Sequence, residues 1–180
     1  MKILHITKYL DTQYGGIESY TDSLCKALHK QYKKIDVISF GKKKKILVKK
    51  NYKIIFFPIN FIIFSAPVSI KLFFFLKKEI KKYKLIHVYL PNPWVVVLIY
   101  LFAKKYNKII ISWGSDIINQ KISKIILNFF QEKLLKISSK IIGLSKIYTE
   151  HSYDLKKFKY KISIIPPILK NVNFIKKKTF

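Results

Sequence analysis

Residues 85–113 (LIHVYLPNPWVVVLIYLFAKKYNKIIISW) carry the reading on which the fold turns. The first 19 of them (85–103) are uncharged and apolar enough to suggest a membrane span, which needs about 20 such residues. His87 and the Pro91-Asn92-Pro93 turn divide the run instead. Residues 85–90 read as a buried strand, residues 94–106 as a helix, and residues 108–113 (KIIISW) as a second strand. A strand, a helix and a strand in succession form a crossover unit. Apolar runs that are continuous rather than alternating mark strands buried on both faces.

The same rhythm extends both ways. Residues 1–8 (MKILHITK) read as a strand, and Ile17, Tyr20, Leu24, Ala27, Leu28 and Gln31 recur at helical spacing up to about Lys33. Residues 35–40 (IDVISF) form a second strand, residues 42–50 a basic loop, and residues 52–57 a third strand stopped by Pro58. Ser65 is expected to cap a helix with Pro67 in its first turn, running to about Tyr83. Residues 54–70, the other uncharged run, are broken by Pro58 and Pro67. Beyond Trp113 come a Gly114-Ser115-Asp116 loop, a helix over about 119–138, and a strand over 140–144 (KIIGL). A short helix capped by Ser145 and a last strand over 161–165 (KISII) follow. The fold class is α/β: a single doubly wound, Rossmann-like parallel sheet with helices on both faces. Ligands of such sheets bind beyond the carboxyl ends of the strands. Gly15-Gly16, Pro91-Asn92-Pro93 and Gly114-Ser115-Asp116 all fall there.

In the stretch Tyr14-Gly15-Gly16-Ile17-Glu18-Ser19-Tyr20, a glycine pair joins the first strand to the first helix. Unpaired N–H groups and the positive end of the helix dipole suit an anion, and glycine lets a ligand approach the backbone. A tight turn with no ligand satisfies the same pattern, and the spacing falls short of the full G-x-G-x-x-G.

Composition narrows the partners. The chain has 180 residues, enough for one domain with a proper core, and half are hydrophobic, which excludes a disordered tail. Thirty-six basic residues oppose nine acidic ones, a formal +27, and every basic residue is lysine. Such a surface attracts anions: phosphorylated substrates, acidic lipid headgroups or nucleic acid. Without arginine or a helix-turn-helix, zinc-finger or RNP-like pattern, specific nucleic-acid reading is not expected. Lys77-Lys78, Lys81-Lys82 and Lys104-Lys105 beside aromatic residues suit attachment to an anionic membrane surface. A lone Cys25 excludes disulfides and suits a reducing cytoplasm, and the N-terminal apolar run is too short for a signal peptide. His5, His29, His87 and His151 lack metal-ligand spacing, and no H-E-x-x-H, G-x-S-x-G or P-loop motif occurs, so neither a metal site nor a hydrolase is expected. His87, in mid-strand, reads as a hydrogen-bonded core residue.

Gly-Gly-Ile-Glu after the first strand, HVYLPNP, SWGSDII, KIIGLS and ISIIPP, in this order, resemble the N-terminal domain of family 4 glycosyltransferases. These are retaining enzymes of the GT-B fold, and the likeness is to bacterial mannosyltransferase-like members that build surface polysaccharides. The resemblance runs over residues 1–167, leaving 168–180, with Lys176-Lys177-Lys178, as a basic tail or the start of an interdomain linker. It implies hexosyl transfer from a nucleotide sugar to a lipid-linked saccharide at the inner face of the cytoplasmic membrane, with no cofactor beyond that donor. Gly15 and Gly16 would meet the donor diphosphate. Glu18, Asn92, Trp113, Gly114 and Ser115 would line the acceptor or sugar cleft. Asp116 would be the catalytic candidate, although as a helix N-cap it would serve structure as well. Two departures stand out: Gly114 replaces a histidine expected to contact the sugar, and the family's H-V-H is His87-Val88-Tyr89 here. The resemblance also implies a second, donor-binding domain that these residues do not supply. Its place would be taken by a separate chain, or the domain would act as an inactive module docking on membrane or partner.

Overall fold

The computed structural model describes residues 1–8, 16–63, 66–115 and 124–167, with residues 16–18 and 124–126 described by backbone alone. Chain order is β1 (Lys2–Ile6), α1 (Gly16–His29), β2 (Lys34–Gly41), β3 (Lys45–Val48), β4 (Lys53–Pro58), β5 (Phe61–Ile63) and β6 (Ala66–Val68). Then follow α2 (Ile70–Glu79), β7 (Leu85–Leu90), α3 (Pro93–Phe102), β8 (Lys108–Trp113), α4 (Lys124–Ile137), β9 (Lys140–Gly143), α5 (Lys146–His151) and β10 (Ile162–Ile164).

Eight strands form one sheet in the order β10-β9-β8-β7-β1-β2-β4-β3. Every pairing is parallel except β3 with β4. The chain builds outward from β1 through β2 and β4, then returns to build the other half from β7 onward. The order therefore reverses between β1 and β7, which places the ligand crevice of a doubly wound sheet there. One face packs Leu4, Ile38, Val88 and Ile111 against Leu72 and Leu76 of α2, Val95 and Leu98 of α3 and Leu134 of α4. The other packs Ile3, Val37 and Phe56 against Cys25 and Leu28 of α1. Burial pushes the Cys25 thiol up to about 12, so it is an inert apolar filler.

Two expectations are corrected. The basic segment 42–50 is not all loop, because Lys45–Val48 adds an antiparallel edge strand to β4. Ser65 lies outside the described residues, and Pro67 sits not in a helix but in β6, paired with Ile62 of β5. Helix α2 starts later, at Ile70, where the Ser69 hydroxyl accepts a hydrogen bond from Leu72 N–H. That hydroxyl is what ends the extended segment and starts the helix. The later helix, expected over 119–138, is described from Lys124, its earlier part lying outside the described residues. Ser145 does precede α5, but its side chain makes no capping bond.

One acid ties four segments together at the amino ends of the strands. Asp36 of β2 is 5% exposed. It accepts from the Tyr83 hydroxyl at 2.7 Å and pairs with Lys2 of β1 at 2.9 Å and Lys53 of β4 at 3.4 Å. Burial, and then the bond to this carboxylate, raise the Tyr83 phenol well above its ordinary range. At the far side, the Lys161 ammonium donates to the carbonyls of Lys136 (2.9 Å) and Ser138 (3.0 Å), satisfying the last turn of α4 and the residue after it. Asp36→Ala strands a buried phenol and removes the counter-charge of two lysines, so it is expected to cost about 3 kcal/mol, read as a lower midpoint in urea denaturation.

Candidate functional site

The crevice between β1 and β7 is bordered by the start of α1, the turn after β7 and the turn after β8. Gly16 is the first residue of α1, so the free N–H groups of that helix stand at the carboxyl end of the sheet. Gly15 and Asp116 lie outside the described residues, and Glu18 falls in the first turn of α1, where only the backbone is described. Lys8 ends the described part of the segment leading out of β1, and partial burial lowers its ammonium pKa.

Asn92 is the N-cap of α3 and is 1% exposed. Its carbonyl accepts from Val96 N–H at 3.0 Å and its side-chain oxygen from Val95 N–H at 3.5 Å. Its amide Nδ2 is buried and has no hydrogen-bond partner among the described residues, at the end of β7. The β7–β8 pairing brings Gly114 alongside: its N–H donates to the Leu90 carbonyl at 3.0 Å. A Cβ on Gly114 would lie 3.1 Å from that same oxygen. Glycine here permits the close approach of two strand ends, and any side chain needs the carbonyl to yield by a few tenths of an ångström. Ser115 follows, half-buried. The structure thus brings Asn92, Gly114 and Ser115 together. The Trp113 indole is 2% exposed and packs in the core with Ile109 and Ile111. Along a strand, alternate residues face opposite sides, and Trp113 falls on the side covered by α3 and α4.

Beneath the crevice runs a buried polar chain that single-strand reading does not reveal. His5 and His87 are registered partners, with Nδ1 atoms 3.1 Å apart, and His87 Nε2 lies 2.8 Å from the Ser112 hydroxyl. Ser112 in turn bonds Tyr20 of α1, whose ring stacks edge-on against Tyr89 at 6.0 Å. His5 Nε2 has no partner among the described residues. An orphaned acceptor costs less than an orphaned donor, which favours His5 Nδ1–H donating to His87 and His87 Nε2–H donating to Ser112. The chain fixes the first two turns of α1 to the ends of β7 and β8, so it positions the crevice walls without touching a ligand. His87 is the hydrogen-bonded core residue its mid-strand place implies. A polar residue inside an otherwise apolar strand, three times over at His5, His87 and Ser112, is the available sequence signal.

Among the described residues, no group of three or more His, Cys, Asp or Glu side chains could hold a metal ion, and no helix is long and apolar enough to cross a membrane.

A mostly parallel, doubly wound sheet whose strand order reverses beside a helix start defines a Rossmann-like α/β domain. The Glycosyltransferase Family 4 model matches residues 14–169, and the chain belongs to that family. It is 28% identical to O-antigen chain mannosyltransferase C of Escherichia coli over 169 residues, covering 92% of this chain and 45% of that protein. The chain thus spans under half the length of this curated relative. Among solved structures, sucrose-phosphate synthase from Thermosynechococcus elongatus superposes with a TM-score of 0.59 at 14% identity, over 95% of this chain and 91% of that one. An alpha-glucosyltransferase solved with UDP and a 13-mer DNA containing an HMU base gives 0.55 at 7% identity, over 93% and 42%. At these identities the two likenesses are of fold, and the fold is the GT-B type of Rossmann-like domain.

Burial lowers His5 from 6.5 to about 4, and burial and then the charge of His5 lower His87 well below 6.5. The unfolded chain takes up these protons near pH 6.5 while the native one does not, so stability is lost as pH falls from 6.5 toward 4. The slope is about 1.4 kcal/mol per pH unit per histidine. Thermal midpoints between pH 7.5 and 5 should trace it, and His5→Gln should remove one histidine's share. Separately, Asn92→Ala is expected to cost about 1 kcal/mol as a lost cap, whereas Asn92→Ser keeps a cap oxygen and most of that stability. Chemical denaturation of the two variants checks the difference.

Proposed function

We propose that this chain is the acceptor-side, N-terminal domain of a retaining glycosyltransferase that moves a hexose from a nucleotide sugar to a lipid-linked saccharide. The observation that carries the reading is the convergence, at the reversal of strand order, of the start of α1 with the open Asn92 amide and the Gly114 turn. Backbone N–H groups at the start of α1 would hold the donor diphosphate, because fixed dipoles neutralise it without reorganisation. Asn92 Nδ2, a buried donor with no partner among the described residues, would bond a sugar hydroxyl. Gly114 and Ser115 would let the acceptor approach the strand ends, and Asp116 is the proposed acid–base or orienting group. The name of the O-antigen relative supports a saccharide acceptor in surface polysaccharide assembly and a mannose-like sugar.

Transfer across a GT-B cleft depends on two domains holding donor and acceptor in register. The part of the relative's length that this chain does not span would supply the other wall. The cytoplasmic side of a membrane suits a nucleotide-sugar donor and the reduced Cys25.

The test is a transfer assay with radiolabelled nucleotide sugars and membrane acceptors, on the chain alone and mixed with a chain carrying the donor-binding half. Transfer is expected in the mixed sample, and Gly16→Val is expected to lower it by about a hundredfold or more with the thermal midpoint little changed. Wild-type activity in Gly16→Val would remove the proposed diphosphate site. Asn92→Ser should lower transfer while retaining the fold.

A further inference from the structure

The carboxyl end of the sheet also carries an apolar surface that the transfer chemistry does not use. Strand β5 is an open edge in which Phe61, Ile62 and Ile63 are 43–63% exposed, while its partner β6 is buried beneath it. The edge strand itself carries no charge, proline or bulge of the kind that ordinarily blunts such an edge. The Asn60 side chain accepts from Ile70 N–H at 3.0 Å and ties this hairpin to the start of α2. On α2 the outward face continues the apolar strip with Ile70 (48% exposed) and Phe74 (61%). Lys71, Lys77, Lys78 and Lys81 surround that strip, all exposed. The single acid of the helix, Glu79, is paired with Lys82. Behind the hairpin, Ile63, Val68, Pro93, Trp94, Val97 and Leu127 line a half-open apolar pocket of about 170 Å³. Trp94 donates its indole N–H to the Ser69 carbonyl, which leaves the ring as apolar wall.

We propose that the β5–β6 hairpin and the outward face of α2 form a docking surface for an anionic lipid bilayer, with Phe61, Ile62, Ile63 and Phe74 inserted among the acyl chains. Charge decides the occupant. Four lysines around the strip would repel the same face of a second copy, whereas acidic headgroups pair with them as their stems snorkel outward. Rings and branched side chains below a rim of lysines are the composition of an interfacial element. Because the hairpin follows the carboxyl end of β4 and adjoins the amino ends of α2 and α3, docking would hold the crevice at the lipid surface. The inference rests on the proposed function only for the meaning of that placement; the binding itself is independent of transfer.

Co-sedimentation of the purified chain with phosphatidylglycerol/phosphatidylcholine vesicles and with phosphatidylcholine alone tests it. Binding is expected to the first and weakly to the second. Ile62→Asp combined with Phe74→Asp should lower the partition coefficient at least about tenfold, with thermal midpoint retained because both sites are exposed. Lys77→Ala with Lys78→Ala should weaken binding several-fold, and the charge-matched Lys43→Ala with Lys44→Ala should change it by less than about twofold. Lipids brominated near the headgroup should quench Trp94 in the unsubstituted protein. The proposal is overturned if the aspartate variant binds like the parent, if the two lysine pairs act equally, or if Trp94 is not quenched. Self-association through this face without vesicle binding overturns it as well. Vesicle binding without sugar transfer would leave the surface standing and count against the enzymatic reading alone.

Discussion

A parallel sheet covered on both faces excludes water from its centre, and polar side chains persist there only by satisfying one another. That constraint organises this molecule. Where a carboxylate enters the sheet, at Asp36, two lysines and a phenol come with it from neighbouring segments. Where imidazoles enter, at His5 and His87, they face each other across the β1–β7 pairing and pass their hydrogen bonds to Ser112. Both arrangements demand one register, since a slip of a single residue would turn these groups to the opposite face. The polar contacts therefore contribute uniqueness of pairing more than gross stability.

The two knots lie at opposite needs of the same sheet. Asp36 closes the amino end, opposite the crevice, and Tyr83 brings in the segment before β7. The histidine chain sits just below the reversal of strand order and reaches α1 through Tyr20. A crevice between two parallel strands whose chain connections leave toward opposite sides of the sheet would widen freely if its walls were held only by apolar packing, which is non-directional. Directional bonds from α1 to β8 set its width, and the backbone groups of α1 and Gly114 inherit that position.

Much of this was legible in the sequence, and the exceptions have physical causes. Residues 85–90 and 108–113 read as strands with the bounds the structure shows, because continuous apolar runs stop at Pro91 and at Gly114. Edge elements read poorly. The four residues of β3 are all exposed, so burial left no apolar signal on one side, and the surrounding lysines read as loop. The β5–β6 hairpin lies in an uncharged run whose periodicity fits strand and helix equally, and Pro67, read as a helix start, instead faces Ile62. At the site, Gly16, Asn92, Gly114 and Ser115 stand out in the sequence because turns after strands are punctuated by glycine, proline and asparagine. The burial of the Trp113 indole follows from strand alternation, which its neighbours in the turn do not reveal. The His5–His87–Ser112 chain is a property of register between strands, which no single stretch encodes.

The β3 edge has a further consequence. Ile46, Leu47 and Val48 lie open on the outermost strand, with unpaired backbone groups facing solvent. What keeps another chain from extending the sheet is the crowd of lysines at 42–45, 49 and 50. That guard acts through charge alone, so its reach is the Debye length, about 10 Å at 0.1 M salt and about 3 Å at 1 M. Concentrated salt would therefore uncover an apolar strand edge that dilute buffer keeps apart from its copies.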